Sequence, residues 1–430
     1  MMQSLLQRIL TTLAQAYLAR YKPAIVAVTG NVGKTSTKEA IGAVLGTIMR
    51  VRMSGGNLNN ELGVPLSIIG DWSEEYYQKG SSFFLWAKVI TRGIIGLIFP
   101  LEYPKVLVLE YGADHPGDIA RLVKLYKPTV GVVTAVGEIP VHVEYFSGPE
   151  ALAKEKSELV RALDPHSLAI LNFDDQVVLD MQTVTKAQVR TFGFGDGASV
   201  RISNLDLSTD DRGRPQGINF KLHLDGSLMP MKIEGSLGRS QTYASAAAAI
   251  VGLHFGMNLV EINKGLLSYR GTPGRLRIIP GIRGSVIIDD TYNAAPAAMH
   301  LALDTLRNCS APRKVAVLGD MLELGRYSLE VHRTAGNKVG NLVHALVCVG
   351  EKAKFIADSA ANQMAREQIY TFHTSEEAKS KVQELIKEGD LVLVKGSQGM
   401  RMEKIVEEIM AEPERKEELL VRQSKKWLSK

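Results

Sequence analysis

Residues 24–36 read Ala-Ile-Val-Ala-Val-Thr-Gly-Asn-Val-Gly-Lys-Thr-Ser. The run Ile25–Thr29 is apolar and β-branched, as a strand buried on both faces should be. It breaks at Gly30-Asn31-Val32-Gly33-Lys34-Thr35, and a helical pattern follows from Ser36. A strand, a glycine turn and a helix N-terminus in that order make a phosphate site. The backbone amides of Gly30–Ser36 cradle phosphate, Lys34 reaches the terminal phosphates, and the Thr35 hydroxyl suits Mg²⁺. The longer phosphate-loop pattern would put glycine at Val28, so this is the shorter G-x-x-G-K-T form.

Outward from the loop, apolar runs alternate with helical stretches. Strands are expected at Val106–Glu110, Val130–Thr134 and Leu168–Leu171, then at Val286–Asp289, Val315–Leu318, Leu346–Val349 and Leu391–Val394. Such runs separated by helices predict parallel sheets covered on both faces, an α/β fold. Between the two series, residues 190–235 carry short alternating segments broken by Gly, Asp and Pro, which predicts a small antiparallel β insertion. The expected division is an amphipathic helix over 1–22, a P-loop domain over 23–270, a Rossmann-like α/β domain over 271–412, and a charged tail over 413–430 read as a solvated helix.

The chain has 430 residues, 45% hydrophobic and 23% charged, enough for two domains with cores of their own. A net charge of +5 without a dense Lys/Arg block excludes a nucleic-acid reading. Cys309 and Cys348 stand in no ligand spacing, which predicts neither a disulfide framework nor a zinc site, and a reducing, cytoplasmic setting. Residues 82–100 are strongly apolar but carry Lys88, Arg92 and two internal glycines, which argues against a membrane-spanning helix. A helix packed on the body of the protein is the plainer reading; one lying at the inner membrane face, or on a protein partner together with residues 1–20, is the alternative.

Polar groups gather where strands end. Glu110 closes Val-Leu-Val-Leu-Glu, placed for Mg²⁺ or simply as a surface carboxylate. Asn57, Asn59 and Asn60 suit a turn or a ligand array. His142 stands alone, and Lys154 and Lys156 read as a solvated helix face. Asp289-Asp290-Thr291-Tyr292-Asn293 caps a buried strand.

In this order the segments resemble the Mur ligases, ATP-dependent amide-forming enzymes. They are Thr29–Thr35, Asn57–Pro65, Glu110–Ile119, His142–Phe146, Ala153–Leu159, Pro273–Leu276, Asp289–Met299, Gly319–Gly325 and Val394–Ser397. The strings DDTYNAAP and GDMLELG point to the branch that adds D-alanyl-D-alanine to a UDP-N-acetylmuramoyl-tripeptide. The resemblance implies that Lys34 and the loop bind ATP, that Thr35 and Glu110 hold one Mg²⁺ and His142 a second, and that Lys156 is carbamylated. It implies that Arg275, Asp290 and Asn293 reach the nucleotide, that Asn57, Asn59 and Asn60 line the precursor, and that Lys395 and Ser397 lie near the incoming amine. Lys34, Lys156, His142 and Arg275 would be the catalytic set. Three departures bear on this. About twenty-three residues precede the first strand, where the family carries a nucleotide-binding domain. Gly238-Arg239-Ser240-Gln241 stands where His-Asn is usual, and Lys395-Gly396-Ser397 continues as Gln398-Gly399 in place of Arg-Ser. Two alternatives are a ligase for another carboxylate acceptor and a nucleotide-binding regulatory partner.

Overall fold

A computed structural model describes residues 2–80, 82–99 and 102–428. Two sheets organise it. The first contains β1 (Ala24–Thr29), β2 (Val51–Met53), β3 (Val106–Glu110), β4 (Val130–Val133), β5 (Leu168–Asn172), β6 (Gln188–Gly193), β7 (Val200–Thr209), β8 (Pro215–Leu224) and β9 (Ser227–Glu234), in the order β2-β3-β1-β4-β5-β6-β7-β8-β9. The second contains β10 (Arg277–Pro280), β11 (Val286–Asp290), β12 (Lys314–Gly319), β13 (Ala345–Val349), β14 (Ile369–Phe372) and β15 (Leu391–Lys395), in the order β10-β11-β15-β12-β13-β14.

Every central strand expected from the sequence forms, because each offers branched apolar side chains to helices on both faces. β1 is flanked by β3 and β4, both parallel to it. Strand order therefore reverses at β1, and a crevice opens beyond its carboxyl end, where α/β sheets bind ligands. Helix α2 (Lys34–Leu45) leaves from that point. It packs against the helix Arg239–His254, whose Ala244 and Ala246–Ala249 are wholly buried and small enough for close approach.

Two expected stretches form with detail the sequence did not give, and the tail differs. Residues 190–235 hold the expected antiparallel strands, joined to the first sheet. β6 continues the parallel array beside β5, and the antiparallel β7–β9 extend the same sheet. The tail is not one solvated helix. Leu419 and Leu420 are buried in the second domain's core, and short helical turns flank them. Residues 82–100 contain helix α5 (Phe83–Ile98), with two distinct faces. Leu85, Trp86 and Val89 are buried beside α1 (Met2–Tyr21), α3 (Gly63–Ile69) and α4 (Ser73–Lys79). Phe83, Phe84, Ile94, Ile95 and Ile98 face outward. Among the described residues no helix is long and apolar enough to cross a membrane.

Candidate active site

The phosphate loop is shaped by its glycines. Gly30 and Gly33 have φ of +139° and +90°, which side chains resist. A Cβ on Gly30 would stand 2.1 Å from Thr134 Oγ1. The loop docks on the segment after β4: the amides of Asn31 and Val32 donate to the Ala135 carbonyl at 2.6 and 3.2 Å, and Asn31 Nδ2 donates to Val136 O at 2.9 Å. Lys34 curls back to donate to Gly30 O at 2.9 Å, and burial lowers its pKa against the opposing pull of Glu110. Register explains Glu110. It pairs with Val28 across β3 and β1, so its carboxylate meets the start of α2. Thr35 Oγ1 donates to Glu110 Oε2 at 3.2 Å.

A cleft of about 620 Å³ lies between this edge and the second sheet's. Asn31, Lys34, Asn57, Asn59, Asn60, Glu110 and His142 reach it from the first domain, and Arg275, Asn293 and Ser397 from the second. The Arg275 guanidinium stacks 4.1 Å over the Tyr292 ring, and its Nε is buried without a hydrogen-bond partner among the described residues. Ser397 Oγ accepts the Leu322 amide at 2.9 Å and lies 3.4 Å from Ala294 O.

Asp290 and Lys395 turn to each other instead. Adjacent in register on β11 and β15, they form a buried pair at 2.6 Å, and Lys395 Nζ also donates to Asn293 O at 3.0 Å. Their neighbour Asp289 is buried on Thr291, which donates from its amide and hydroxyl, and on the Gly274 amide. Burial pushes the Asp289 carboxyl up to about 6.

His142 adopts a left-handed backbone, φ +68°. Its Nδ1 lies 2.8 Å from Glu323 Oε2 across the domain boundary, and its Nε2 lies 3.6 Å from Asp114 Oδ1. Lys154 is exposed, whereas Lys156 is buried on the helix Pro149–Arg161 and forms no ion pair among the described residues. Burial, reinforced by the positive charge of Lys34, lowers the Lys156 pKa to about 7. Glu155 beside it accepts the Gly117 and Ile119 amides at 2.8 and 2.7 Å, which fixes the loop carrying Asp114.

Thr35 and Glu110 are hard oxygen donors beside a phosphate loop, and such a pair fits Mg²⁺ completed by substrate phosphates. Among the described residues no group of three or more His, Cys, Asp or Glu is placed to hold an ion. Sequence reasoning missed Asp114, Tyr292, Glu323, Gln398, Arg401 and Trp427 in this cleft. The first four lie inside segments quoted above and could have been taken from them; Arg401 and Trp427 give no local signal.

Residues 98–252 match the family model of the Mur ligase middle domain, and 274–398 that of the Mur ligase glutamate ligase domain. The UDP-N-acetylmuramoyl-tripeptide–D-alanyl-D-alanine ligase of Bacillus subtilis is 29% identical over 406 residues, 94% of this chain and 79% of that one. The Escherichia coli ligase of the same name is 29% identical over 414 residues, 91% and 78% of the two chains. Among solved structures, the MurF ligase from Thermotoga maritima in complex with ADP superposes with a TM-score of 0.77 at 27% identity, covering 95% of this chain and 84% of that one. A Mycobacterium tuberculosis folylpolyglutamate synthase complexed with ADP shares the fold at TM-score 0.63 and 16% identity.

Proposed function

The chain belongs to the Mur ligase family, and from that premise we propose that it joins D-alanyl-D-alanine to the terminal carboxylate of a UDP-N-acetylmuramoyl-tripeptide while cleaving ATP. The observation that carries this reading is the single cleft reached by the phosphate loop, the Asn57–Asn60 array, Arg275 and Asn293.

A carboxylate is a poor acyl donor because it would have to expel oxide. In this reading its oxygen attacks the γ-phosphorus of ATP, ADP leaves, and an acyl phosphate forms. The dipeptide amine attacks the acyl carbon, gives up a proton, and phosphate departs with the bonding pair. Lys34 and the amides of Gly30–Ser36 hold the phosphates and offset their charge. Arg275, with a buried Nε in want of an acceptor, reaches the same phosphates from the other domain. Asn57, Asn59 and Asn60 orient the acceptor peptide, and Ser397 lies toward the amine. Asp290 and Lys395 act one step back, Lys395 fixing the carbonyl of Asn293 at the nucleotide. Mg²⁺ on Thr35 and Glu110 would neutralise charge on the transferred phosphoryl group. A second ion would take His142 and Lys156, once carbamylation has turned that amine into a carboxylate. Closure of the cleft keeps water from the acyl phosphate.

We also infer that the outward face of α5 rests on an anionic bilayer surface. The helix has no acidic residue, its exposed arc holds Phe84, Ile94, Ile95 and Ile98, and exposed Arg92 lies on one flank, while Lys88 is paired with Glu75 at 2.7 Å.

The deciding experiment measures phosphate release from ATP with acceptor and D-alanyl-D-alanine added singly and together. Release that requires both, with a new amide in the product, supports the reading. Release with a different carboxylate acceptor alone, or ATP binding without stimulated turnover, overturns it.

A further inference from the structure

A second cavity, of about 320 Å³, lies beside the cleft. Asn57, Tyr292, Gln398 and Trp427 border both spaces. Three aromatic side chains from distant parts of the chain wall this annex: Tyr77 from α4, Tyr292 after β11, and Trp427 from the tail. Tyr77 Oη accepts the Asn57 amide at 2.6 Å, tying α4 to the acceptor array. Leu420 and Val421 add apolar surface, and the buried Leu419–Leu420 pair anchors the tail.

The lining is electrostatically quiet. Arg422 donates to Glu403 Oε2 at 3.0 Å, to Thr291 O at 3.0 Å and to Tyr292 O, so a carboxylate and two carbonyls take up its charge. Lys38 lies 3.3 Å from Glu39 and donates to Ser54 O. Three neutral side chains of the lining are different. Thr272 Oγ1, Gln423 Oε1 and Ser424 Oγ are buried and have no hydrogen-bond partner among the described residues. Gln423 spends its amide nitrogen on Val421 O at 3.0 Å, which leaves the carbonyl turned to other use. Buried polar atoms are almost always paired in native proteins, so unpaired ones beside a cavity point to a ligand's polar edge.

Aromatic walls, no unneutralised charge and three unpartnered polar atoms describe a site for an uncharged ring that lays one face on aromatic side chains and carries hydrogen-bonding groups on its rim. We propose that the annex holds such a ring from the non-peptide end of the acceptor, a pyranose or a nucleobase. The assignment of that ring to the acceptor rests on the ligase reading above. A diphosphate is excluded, because both cations in the lining are already matched to carboxylates.

The test is saturation-transfer NMR on the full chain without ATP, with uridine and N-acetylglucosamine as separate ligands. Binding of either ring at millimolar concentration is expected, and which one binds identifies the source. Base–aromatic stacking predicts that Trp427→Ala weakens binding roughly 10-fold or more. Gln423→Ala should weaken it in the same direction and covers the case in which Trp427→Ala does not fold. Absence of binding by both rings, or binding indifferent to both substitutions, overturns the proposal. Ring binding in a chain that shows no stimulated phosphate release sinks the ligase reading and keeps the annex; acceptor-dependent release without ring binding does the reverse.

Discussion

Two buried lysines illustrate how much a single residue's surroundings decide. Burial lowers the pKa of both. Lys395 has the Asp290 carboxylate at 2.6 Å, which pulls against that lowering. Removing one partner strands the other charge. Asp290→Asn should cost about 3–5 kcal/mol, read from the urea midpoint, while Asp290→Asn/Lys395→Met should recover most of that loss. A single variant as stable as the parent would mean that the pair carries no such charge. Lys156 has no such partner among the described residues and a pKa of about 7, so much of its amine is neutral at physiological pH. Only the neutral amine adds carbon dioxide. With ¹³C-bicarbonate, a carbamate signal should therefore appear above about pH 7 and fade below it as the amine protonates, and Lys156→Ala should remove both signal and turnover. Linkage runs in the same direction. The unfolded chain holds this proton up to about pH 10.4, so the Lys156 contribution to stability rises with pH between about 7 and 10. The sequence let Glu110 and Lys34 be read in place, because each ends a visible local pattern. It did not show that Asp290 and Lys395 face each other, since that depends on the β11–β15 register.

At the scale of elements, strands buried on both faces were legible and elements defined by distant contacts were not. The tail carries many charges and looks solvated, yet Leu419, Leu420 and Arg422 fold back onto the second domain, where Glu403 receives both Arg401 and Arg422. No periodicity within residues 413–430 could report a carboxylate buried at 403. Helix α5 was legible as an apolar helix, and its buried side chains only showed themselves against α1, α3 and α4. Its outward face carries a prediction. Vesicles containing anionic lipid should bring the protein up on flotation, and neutral vesicles should bring up less. Each large apolar side chain contributes about 1.5–3 kcal/mol when buried. Phe84→Ser/Ile98→Ser should then reduce partitioning by roughly 100-fold or more with no loss of thermal stability, because both side chains already face outward. Protein that stays at the bottom of the gradient with every vesicle would make α5 a packing element alone.

Across the whole molecule, two α/β domains follow from the strand series, but the way they meet does not, because cross-domain contacts join residues hundreds of positions apart. Asn57 Oδ1 accepts the Tyr292 hydroxyl, Asn57 Nδ2 lies 3.5 Å from Gln398 Oε1, and His142 lies 2.8 Å from Glu323. The turn around Trp427 packs against α4, so the tail of the second domain also touches the first. These named bridges are polar, and a hydrogen bond nets about 0.5–1.5 kcal/mol. Removing two of them should therefore shift the balance between closed and open forms without unfolding either sheet. Closed, a chain of 430 residues has a radius of gyration of about 22 Å. Tyr292→Phe/Glu323→Ala should raise that radius in X-ray scattering without nucleotide, and ATP with acceptor should bring it back toward the parent value. The same variant should show a higher KM for ATP, because Lys34 and Arg275 come from opposite sides of the cleft, and in the proposed reaction they grip the same phosphates only when it closes. An unchanged radius with a raised KM would locate the effect in the pocket wall. A raised radius that ATP and acceptor reverse ties phosphate binding to closure, which is the condition for keeping an acyl phosphate from water.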